Sequence, residues 1–292
     1  MNIVTCSTLA KTCQPLPDND IESAMAVKPI LITGVYGLVG SCVYRHLADM
    51  PDLFEVYGMD RQREPSPRVH PNGLANVPDD LFFQSDLYDI GELVKAFQGM
   101  DTIVHLAGDP NADATWESLR KNNIEATYNV FEAAKRAGVR RVIFASSIHV
   151  SFGYFFNVEP YKSIREGNYE NVPAKFKRIT TSDPTWPVVP YGSSKVFGEA
   201  IARMHGSESG LSCICLRLGG VQSMDDFPPS IVPNACSRND VSRLIELCIQ
   251  APDTVRFEIF YGLSDSDYRW VDIENAAKIL GYVPEDRIRL KD

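Results

Sequence analysis

Tyr191 and Lys195 stand four residues apart in "YGSSK", inside a run whose spacing predicts a helix from about Tyr191 to Met204. At that separation both side chains leave the same helix face. A free phenol, with a pKa of about 10, is a poor base at neutral pH. An ammonium alongside favours the phenolate and makes proton abstraction from a hydroxyl feasible. The same spacing also suits two neighbours on a solvated face, so the pair gains chemical meaning only from its surroundings.

Those surroundings begin with Gly34, Gly37 and Gly40 in "LITGVYGLVG", directly after an apolar run and at the head of a helical pattern over Leu38 to Ala48. Such glycines let the backbone turn tightly out of a strand and approach a pyrophosphate. The phosphate then meets the N–H groups at the helix start. A glycine triplet alone is weak, but here it is followed by Asp60, at the end of the second apolar run "FEVYGMD". A carboxylate there can bind both ribose hydroxyls of NAD and repels the 2′-phosphate of NADP, with Arg61 beside it as a partial offset. NAD is therefore the expected cofactor; an ordinary solvated Asp in a strand-to-helix turn is the alternative.

The elements that must position these groups alternate along the chain. Strand-like runs are "ILIT", "FEVYGMD", "LFFQSD", "TIVHLAG", "RVIFASS", "LSCICLRL" and "VRFEIF". Helix-like runs cover about 38–48, 89–97, 114–137, 191–204, 240–250 and 272–280. Strand and helix in repetition imply an α/β fold, a Rossmann-type doubly wound parallel sheet. The expected division is a loose extension over 1–26, a dinucleotide-binding domain over 27–217, and a small C-terminal substrate-binding portion over 218–292. Residues 151–189 interrupt the rhythm, aromatic and proline-bearing without a clear period, and read as a lid-like insertion.

The 292 residues carry a net charge of −9, which argues against nucleic acid or an anionic membrane as the main partner. No apolar run is long enough to span a bilayer, and the N-terminus lacks the apolar core of a signal peptide. The seven cysteines have no paired metal spacing, so no metal is expected. Cys213 and Cys215 alternate in an apolar run and should share one strand face. A reducing cytoplasm is the simplest setting.

The motifs resemble, in order, those of the extended short-chain dehydrogenases, the NAD-dependent epimerase/dehydratase family. They are the G-x-x-G-x-x-G turn, "SDL" with Asp86, "HLAG" at 105–108, "NNI" at 122–124, "ASS" at 145–147 and "YGSSK" at 191–195. The resemblance implies a catalytic set in which Tyr191 is the base, Lys195 tunes it and reaches the nicotinamide ribose, and Ser147 holds the reacting oxygen. It implies a cofactor lined by Gly34, Gly37, Leu38, Val39 and Gly40, with Asp86 and Leu87 flanking the adenine. Leu106, Ala107, Gly108 and Asn122 complete the implied lining. Homodimers built from two long helices of each subunit are common in the family, and 114–137 and 191–204 are the candidates here.

Within the family the likeness is greatest to uronate dehydrogenases and related sugar dehydrogenases, through "HLAGDP", "NVFEAAKRAGVRRVIFASSIHV", "YGSSKVFGEAIARMH" and "SRNDVSRLIELCI". That implies oxidation of a sugar hydroxyl, the anomeric one, with His149 against substrate hydroxyls, a satisfied structural histidine being the alternative; Asp109, following "HLAG", faces the same region, and Gly220 is the remaining substrate-side candidate. The chain departs from those enzymes at Ile148, where they carry Asn, and at Gly220, where they carry Ser. It also has no arginine between Arg217 and Arg238, where they pair one with the uronate carboxylate. An unpaired carboxylate in a closed pocket is costly. Lys162, Arg165, Lys175, Lys177 and Arg178 of the insertion are therefore candidates to meet an anionic group, or else ordinary surface charges. Trp116, Trp186 and Trp270 read as packing residues. A nucleotide-sugar epimerase or dehydratase with tightly held NAD, and a non-catalytic cofactor-binding scaffold, are the other readings.

Overall fold

The computed structural model describes residues 27–291; the extension expected over 1–26, with Cys6 and Cys13, lies outside the described residues. Seven strands form one parallel sheet: β1 (Lys28–Thr33), β2 (Phe54–Asp60), β3 (Phe82–Gln84), β4 (Thr102–His105), β5 (Arg141–Ser147), β6 (Ser212–Leu218) and β7 (Phe257–Gly262). Their order is β3-β2-β1-β4-β5-β6-β7. The order reverses between β1 and β4, and in such sheets the ligand crevice opens at that switch, beyond the carboxyl ends of the strands.

Both faces of the sheet are covered. Ile30 and Ile32 of β1 join a core with α1 (Leu38–Ala48) and α8 (Arg238–Gln250), while Leu31 joins the opposite core with α2 (Ile90–Phe97), α4 (Ala126–Ala137) and α7 (Pro190–Glu208). Strand side chains alternate between faces, so a continuous apolar run serves both cores. Cys213 and Cys215 share the second core, as their alternation implied. The helix ends are chemically marked. Asp89 accepts from the Glu92 N–H (3.0 Å) to start α2, and Ser237 accepts from the Asp240 N–H (3.0 Å) to start α8. Gly138 ends α4 in the left-handed conformation, φ 75°.

The region expected as one helix over 114–137 is broken. It runs as α3 (Trp116–Leu119), a π-turn over Arg120–Glu125, and then α4. The insertion also holds more order than its sequence suggests, with α5 (Phe152–Asn157) and α6 (Tyr161–Glu166). Its Phe155 stacks on the fully buried Trp270 at 4.9 Å, Tyr161 lies 5.9 Å from the same ring, and Ile179 bridges Val271. The segment is thus packed against the C-terminal residues rather than standing free.

The expected boundary at residue 217 falls inside the sheet. β7 pairs with β6, and α8 covers one face, so much of the C-terminal stretch completes the sheet layer. Two short strands, β8 (Asp265–Ser266) and β9 (Arg287–Ile288), and α9 (Glu274–Leu280) follow. Asp240, fully buried at the start of α8, accepts from Ser264 Oγ (2.6 Å) and the Glu285 N–H (2.8 Å) and so ties down the tail.

Candidate active site

Tyr191 sits in the first turn of α7, which Pro190 opens with a backbone angle already suited to a helix. Lys195 is one turn on, its side chain buried, its Nζ donating to the Ala145 carbonyl of β5 (2.9 Å) and lying 5.8 Å from the centre of the Tyr191 ring. Ser147 ends β5, and its Oγ accepts from the His149 N–H (3.2 Å). Strand β5 and the start of α7 thereby bring together a hydroxyl, a phenol and an ammonium.

Burial governs their protonation. It pushes the Tyr191 phenol up, while the Ser147 hydroxyl and the positive charge of Arg68 act in the opposite direction. It pushes the Lys195 ammonium down to about 8. The pair can exchange a proton with a hydroxyl placed against Ser147, and any added positive charge in the cleft draws the phenol toward its anion.

The other end of the same cleft is the glycine turn. Gly34 has φ +71° and gives its N–H to the Met59 carbonyl (2.8 Å); a Cβ on it would lie 2.8 Å from the backbone of Ala107. A Cβ on Gly40 would lie 2.1 Å from the Gly34 carbonyl oxygen, an impossible contact. Gly37 donates to that same oxygen (2.9 Å) and caps α1, whose first-turn residues Leu38 and Val39 also line the cleft. The first N–H groups of a helix have no intrahelical partners. A backbone this closely folded, ending in a helix start on the cleft wall, fits a pyrophosphate.

Asp60 ends β2, where its Oδ2 accepts from the Tyr36 N–H (3.1 Å) and its Oδ1 from the Arg61 N–H (2.9 Å). Burial raises its carboxyl, and those two bonds oppose the rise. Asp86 accepts from the Tyr88 N–H (3.2 Å), and Leu87 takes a left-handed backbone, φ 68°, with its carbonyl held by Asn129 Nδ2 (3.0 Å). Ala107 gives its N–H to Thr33 Oγ1 (3.3 Å). Every residue assigned from the sequence to cofactor or catalysis lines this one cleft of about 970 Å³, Leu106, Gly108 and Asn122 included.

The residues assigned to substrate are there too, with different prospects. The His149 ring packs on Phe152 (4.0 Å between centres) and edge-on to Tyr191 (5.2 Å); burial pushes it down to about 4, and its buried Nδ1 has no hydrogen-bond partner. It is a neutral imidazole with an unused polar atom. Asp109 is already engaged, accepting from Ser118 Oγ (2.5 Å) and the Asn111 N–H (3.0 Å). Gly220 gives its N–H to the Asn234 carbonyl (2.8 Å), and a Cβ on it would lie 2.8 Å from the Ile231 side chain, so a serine there needs Ile231 to move.

None of the five basic residues of the insertion lies on the cleft wall. Lys177 pairs with Asp183 (3.0 Å), Arg165 with Glu166 (2.8 Å), and Arg178 donates to the Arg269 carbonyl (3.2 Å). The expectation that they meet an anion is therefore not carried by the geometry. Trp116, Trp186 and Trp270 are off the wall as well. Four residues that sequence reasoning passed over belong to the site: Arg68, Phe152 and Asn234 on the wall, and Asn123 behind it. Asn123 accepts from the Asp109 N–H (2.7 Å) and donates to the Asp109 carbonyl (3.0 Å) and Ser194 Oγ (3.2 Å). It joins the π-turn to the loop after β4 and to α7; the adjacent "NN" was visible, but nothing in it chose between Asn122 and Asn123.

The chain as a whole resembles known proteins. A profile of the NAD dependent epimerase/dehydratase family matches residues 30–285. The chain is 30% identical over 267 residues to an NAD-dependent glucose-6-phosphate dehydrogenase of Haloferax volcanii, covering 89% of this chain and 94% of that one. It is 30% identical over 273 residues to an L-arabinose 1-dehydrogenase (NAD(P)(+)) of the same organism, covering 88% and 96%. Among solved structures, a tyrosine-to-alanine variant of uronate dehydrogenase from Agrobacterium tumefaciens, complexed with NAD, superposes with a TM-score of 0.68 at 27% identity, covering 90% of this chain and 86% of that one. With its glycine turn, its closing strand serine and its Tyr-Lys helix in one crevice, the chain belongs to the NAD dependent epimerase/dehydratase family.

Proposed function

We propose that the protein is an NAD-dependent dehydrogenase that oxidises a hydroxyl, the anomeric one, of a sugar, sugar acid or sugar phosphate. The observation that carries this reading is the convergence of Tyr191, Lys195 and Ser147 at one end of a cleft whose other end is the Gly34–Gly40 turn and Asp60. The relatives act on a phosphorylated hexose, a pentose and a uronate, by their names.

Bound NAD supplies the hydride acceptor. The turn at Gly34, Gly37 and Gly40 would hold its pyrophosphate, Asp60 its adenosine ribose, and Lys195 its nicotinamide ribose. Ser147 holds the sugar oxygen that reacts, and Tyr191 takes the proton from it. The Lys195 ammonium, 5.8 Å from the ring, stabilises the phenolate that performs this step. The neutral imidazole of His149, on the cleft wall and edge-on to Tyr191, would face a further sugar hydroxyl. Leu218–Val221, Ile231 and Asn234, at and after the end of β6, line the same cleft and would form the substrate wall.

The reading extends to setting and assembly. Among the described residues no helix is long and apolar enough to cross a membrane, and the described cysteines are free, which supports a cytoplasmic enzyme. Exposed Trp116 and Tyr128 on one helical stretch and Met204 on α7 support a homodimer that pairs these helices.

A panel of aldoses, uronates and sugar phosphates, each with NAD and with NADP, tests the function through formation of the reduced coenzyme. The expected result is one reduced NAD per sugar oxidised. Isomerisation or dehydration of a nucleotide sugar with no net reduced coenzyme would instead indicate the epimerase or dehydratase chemistry.

A further inference from the structure

The bases of the insertion are elsewhere, yet a base outside it, Arg68, does line the cleft. Arg68 lies in the loop between β2 and β3, which folds back over the glycine turn. The Ser66 N–H donates to the Tyr36 carbonyl (3.0 Å) within that turn, and the Val69 N–H to the Ser66 carbonyl (2.9 Å). Arg68's own N–H reaches Ser66 Oγ (3.3 Å). Upstream, Arg63 lies over the Phe82 ring (4.2 Å) and donates to the Val77 carbonyl (3.3 Å); downstream, Val69 packs against the core and Arg45 donates to the Asn72 carbonyl (2.8 Å). The backbone of Arg68 is therefore pinned on both sides, while the residue itself shares the cleft wall with Ser147, His149 and Tyr191.

The other cations on that wall are Lys195, Arg61 and Lys121. Lys195 Nζ is bound to the Ala145 carbonyl, Lys121 lies over the Tyr88 ring (5.2 Å), and Arg61 stands at the end of β2, next to the carboxylate expected to hold the adenosine ribose, its backbone N–H bound to Asp60 Oδ1. The nearby acids do not neutralise Arg68. Asp60 and Asp109 are held by the partners described above, and among the described residues Arg68 forms no ion pair, with Glu64 of its own loop or any other. Its charge reaches the Tyr191 phenol. Ile148 is apolar, and the segment between Arg217 and Arg238 supplies no base, so apart from Arg61 beside Asp60 the wall offers an acidic substituent no other cation without a side-chain partner.

We propose that Arg68 recognises the acidic group, carboxylate or phosphate, of an anionic sugar whose reacting hydroxyl lies against Ser147 and Tyr191. The proposal rests on the dehydrogenase reading and names its substrate class. A guanidinium suits both anions because its paired donors match two oxygens at once.

The test compares the parent with Arg68→Gln and Arg68→Lys, using D-glucuronate, D-glucose 6-phosphate and neutral D-glucose as probes. For Arg68→Gln, the preference in kcat/KM for the acidic sugar over glucose should fall about ten- to hundred-fold, carried by KM, as expected for loss of a charged hydrogen bond. Arg68→Lys should retain part of it, and the probe most affected identifies carboxylate or phosphate. Calorimetry of each sugar into NAD-saturated protein reads the same discrimination without turnover. Tight binding of an acidic sugar by the parent, weakened in Arg68→Gln, supports the proposal even if oxidation is absent; in that case the dehydrogenase reading fails instead. Three results overturn the proposal: a parent that binds neutral glucose better than both acidic sugars, an unchanged preference in Arg68→Gln, or a loss of NAD affinity in that variant matching the loss for sugar, which would place Arg68 on the coenzyme pyrophosphate.

Discussion

Glu199→Gln is expected to lower the melting temperature by about 6–20 °C and to slow turnover with it. Glu199 lies one turn beyond Lys195 on α7, and its side chain is 6% exposed against 2% for its partner Arg217 on β6. Arg217 donates Nε to Oε1 and Nη2 to Oε2, both at 2.9 Å, and Ser146 Oγ adds a bond to Oε1 (2.6 Å). The guanidinium also reaches the Tyr261 hydroxyl (3.1 Å), itself bonded to Ser151 (2.7 Å) at the root of the insertion. One buried carboxylate thus links the catalytic helix, the strand that ends in Ser147, and the segment beside the cleft. Glutamine removes the charge and turns an amide N–H₂ toward a guanidinium that can only donate. Breaking a buried pair on one side costs about 3–5 kcal/mol, and in a domain of this size each kcal/mol moves the midpoint by about 2–4 °C. Ser146 adjoins Ser147, so the loss should also displace the Ser147 hydroxyl and, on the proposed mechanism, reduce kcat. Thermal melting by circular dichroism, with steady-state kinetics below the transition, reads both effects. Glu199→Met combined with Arg217→Met removes both charges and should recover much of the stability without restoring kcat. A single variant that melts within about 2 °C of the parent, or a double variant no more stable than the single, refutes the reasoning.

Gly40→Ala places a methyl 2.1 Å from the Gly34 carbonyl, so the glycine turn must open; NAD affinity by calorimetry should fall at least about ten-fold, and retention of affinity would contradict the close approach. Asp60→Asn removes the charge that repels a 2′-phosphate, so the NADP-to-NAD ratio of kcat/KM should rise about ten-fold or more, and a constant ratio would remove Asp60 from coenzyme choice. Burial holds the Lys195 ammonium at about 8 against 10.5 for the free group, a cost of about 3 kcal/mol to the folded state below pH 8. Between about pH 8 and 10.5 the unfolded chain binds more protons at this site, so its contribution makes stability rise with pH across that window. Denaturant unfolding of the coenzyme-free enzyme at a series of pH values should show that rise in the parent and its loss in Lys195→Met; equal slopes would contradict it.

Much of this was legible in the sequence because it depends on local pattern. Strands β2 and β5 and helix α1 begin and end where alternating or helical spacing places them, since an apolar run bounded by glycine or a turn has few other solutions. Asp60, Ser147 and Lys195 fall at the carboxyl ends of strands or one turn into a helix, positions that spacing alone marks. What escaped depends on contacts between distant residues. The break at Arg120–Glu125 follows Asn123, drawn to the loop after β4, and period counting does not register an opened turn. The short helices of the insertion exist because Phe155 and Tyr161 pack on Trp270, more than a hundred residues away along the chain. The insertion's bases looked suited to an anion by composition, but each of Lys177 and Arg165 has a carboxylate within a few residues. Arg68 drew no notice in the sequence because only tertiary folding carries its loop back over the glycine turn.

The central claim, that Tyr191 moves the proton in a cleft built for NAD, is met most directly by Tyr191→Phe assayed two ways on one preparation. The account predicts that calorimetry finds NAD bound nearly as tightly as by the parent, while formation of reduced coenzyme from the parent's best sugar falls at least about a thousand-fold. Turnover retained within ten-fold, or a parent that takes up neither nicotinamide coenzyme, would contradict it.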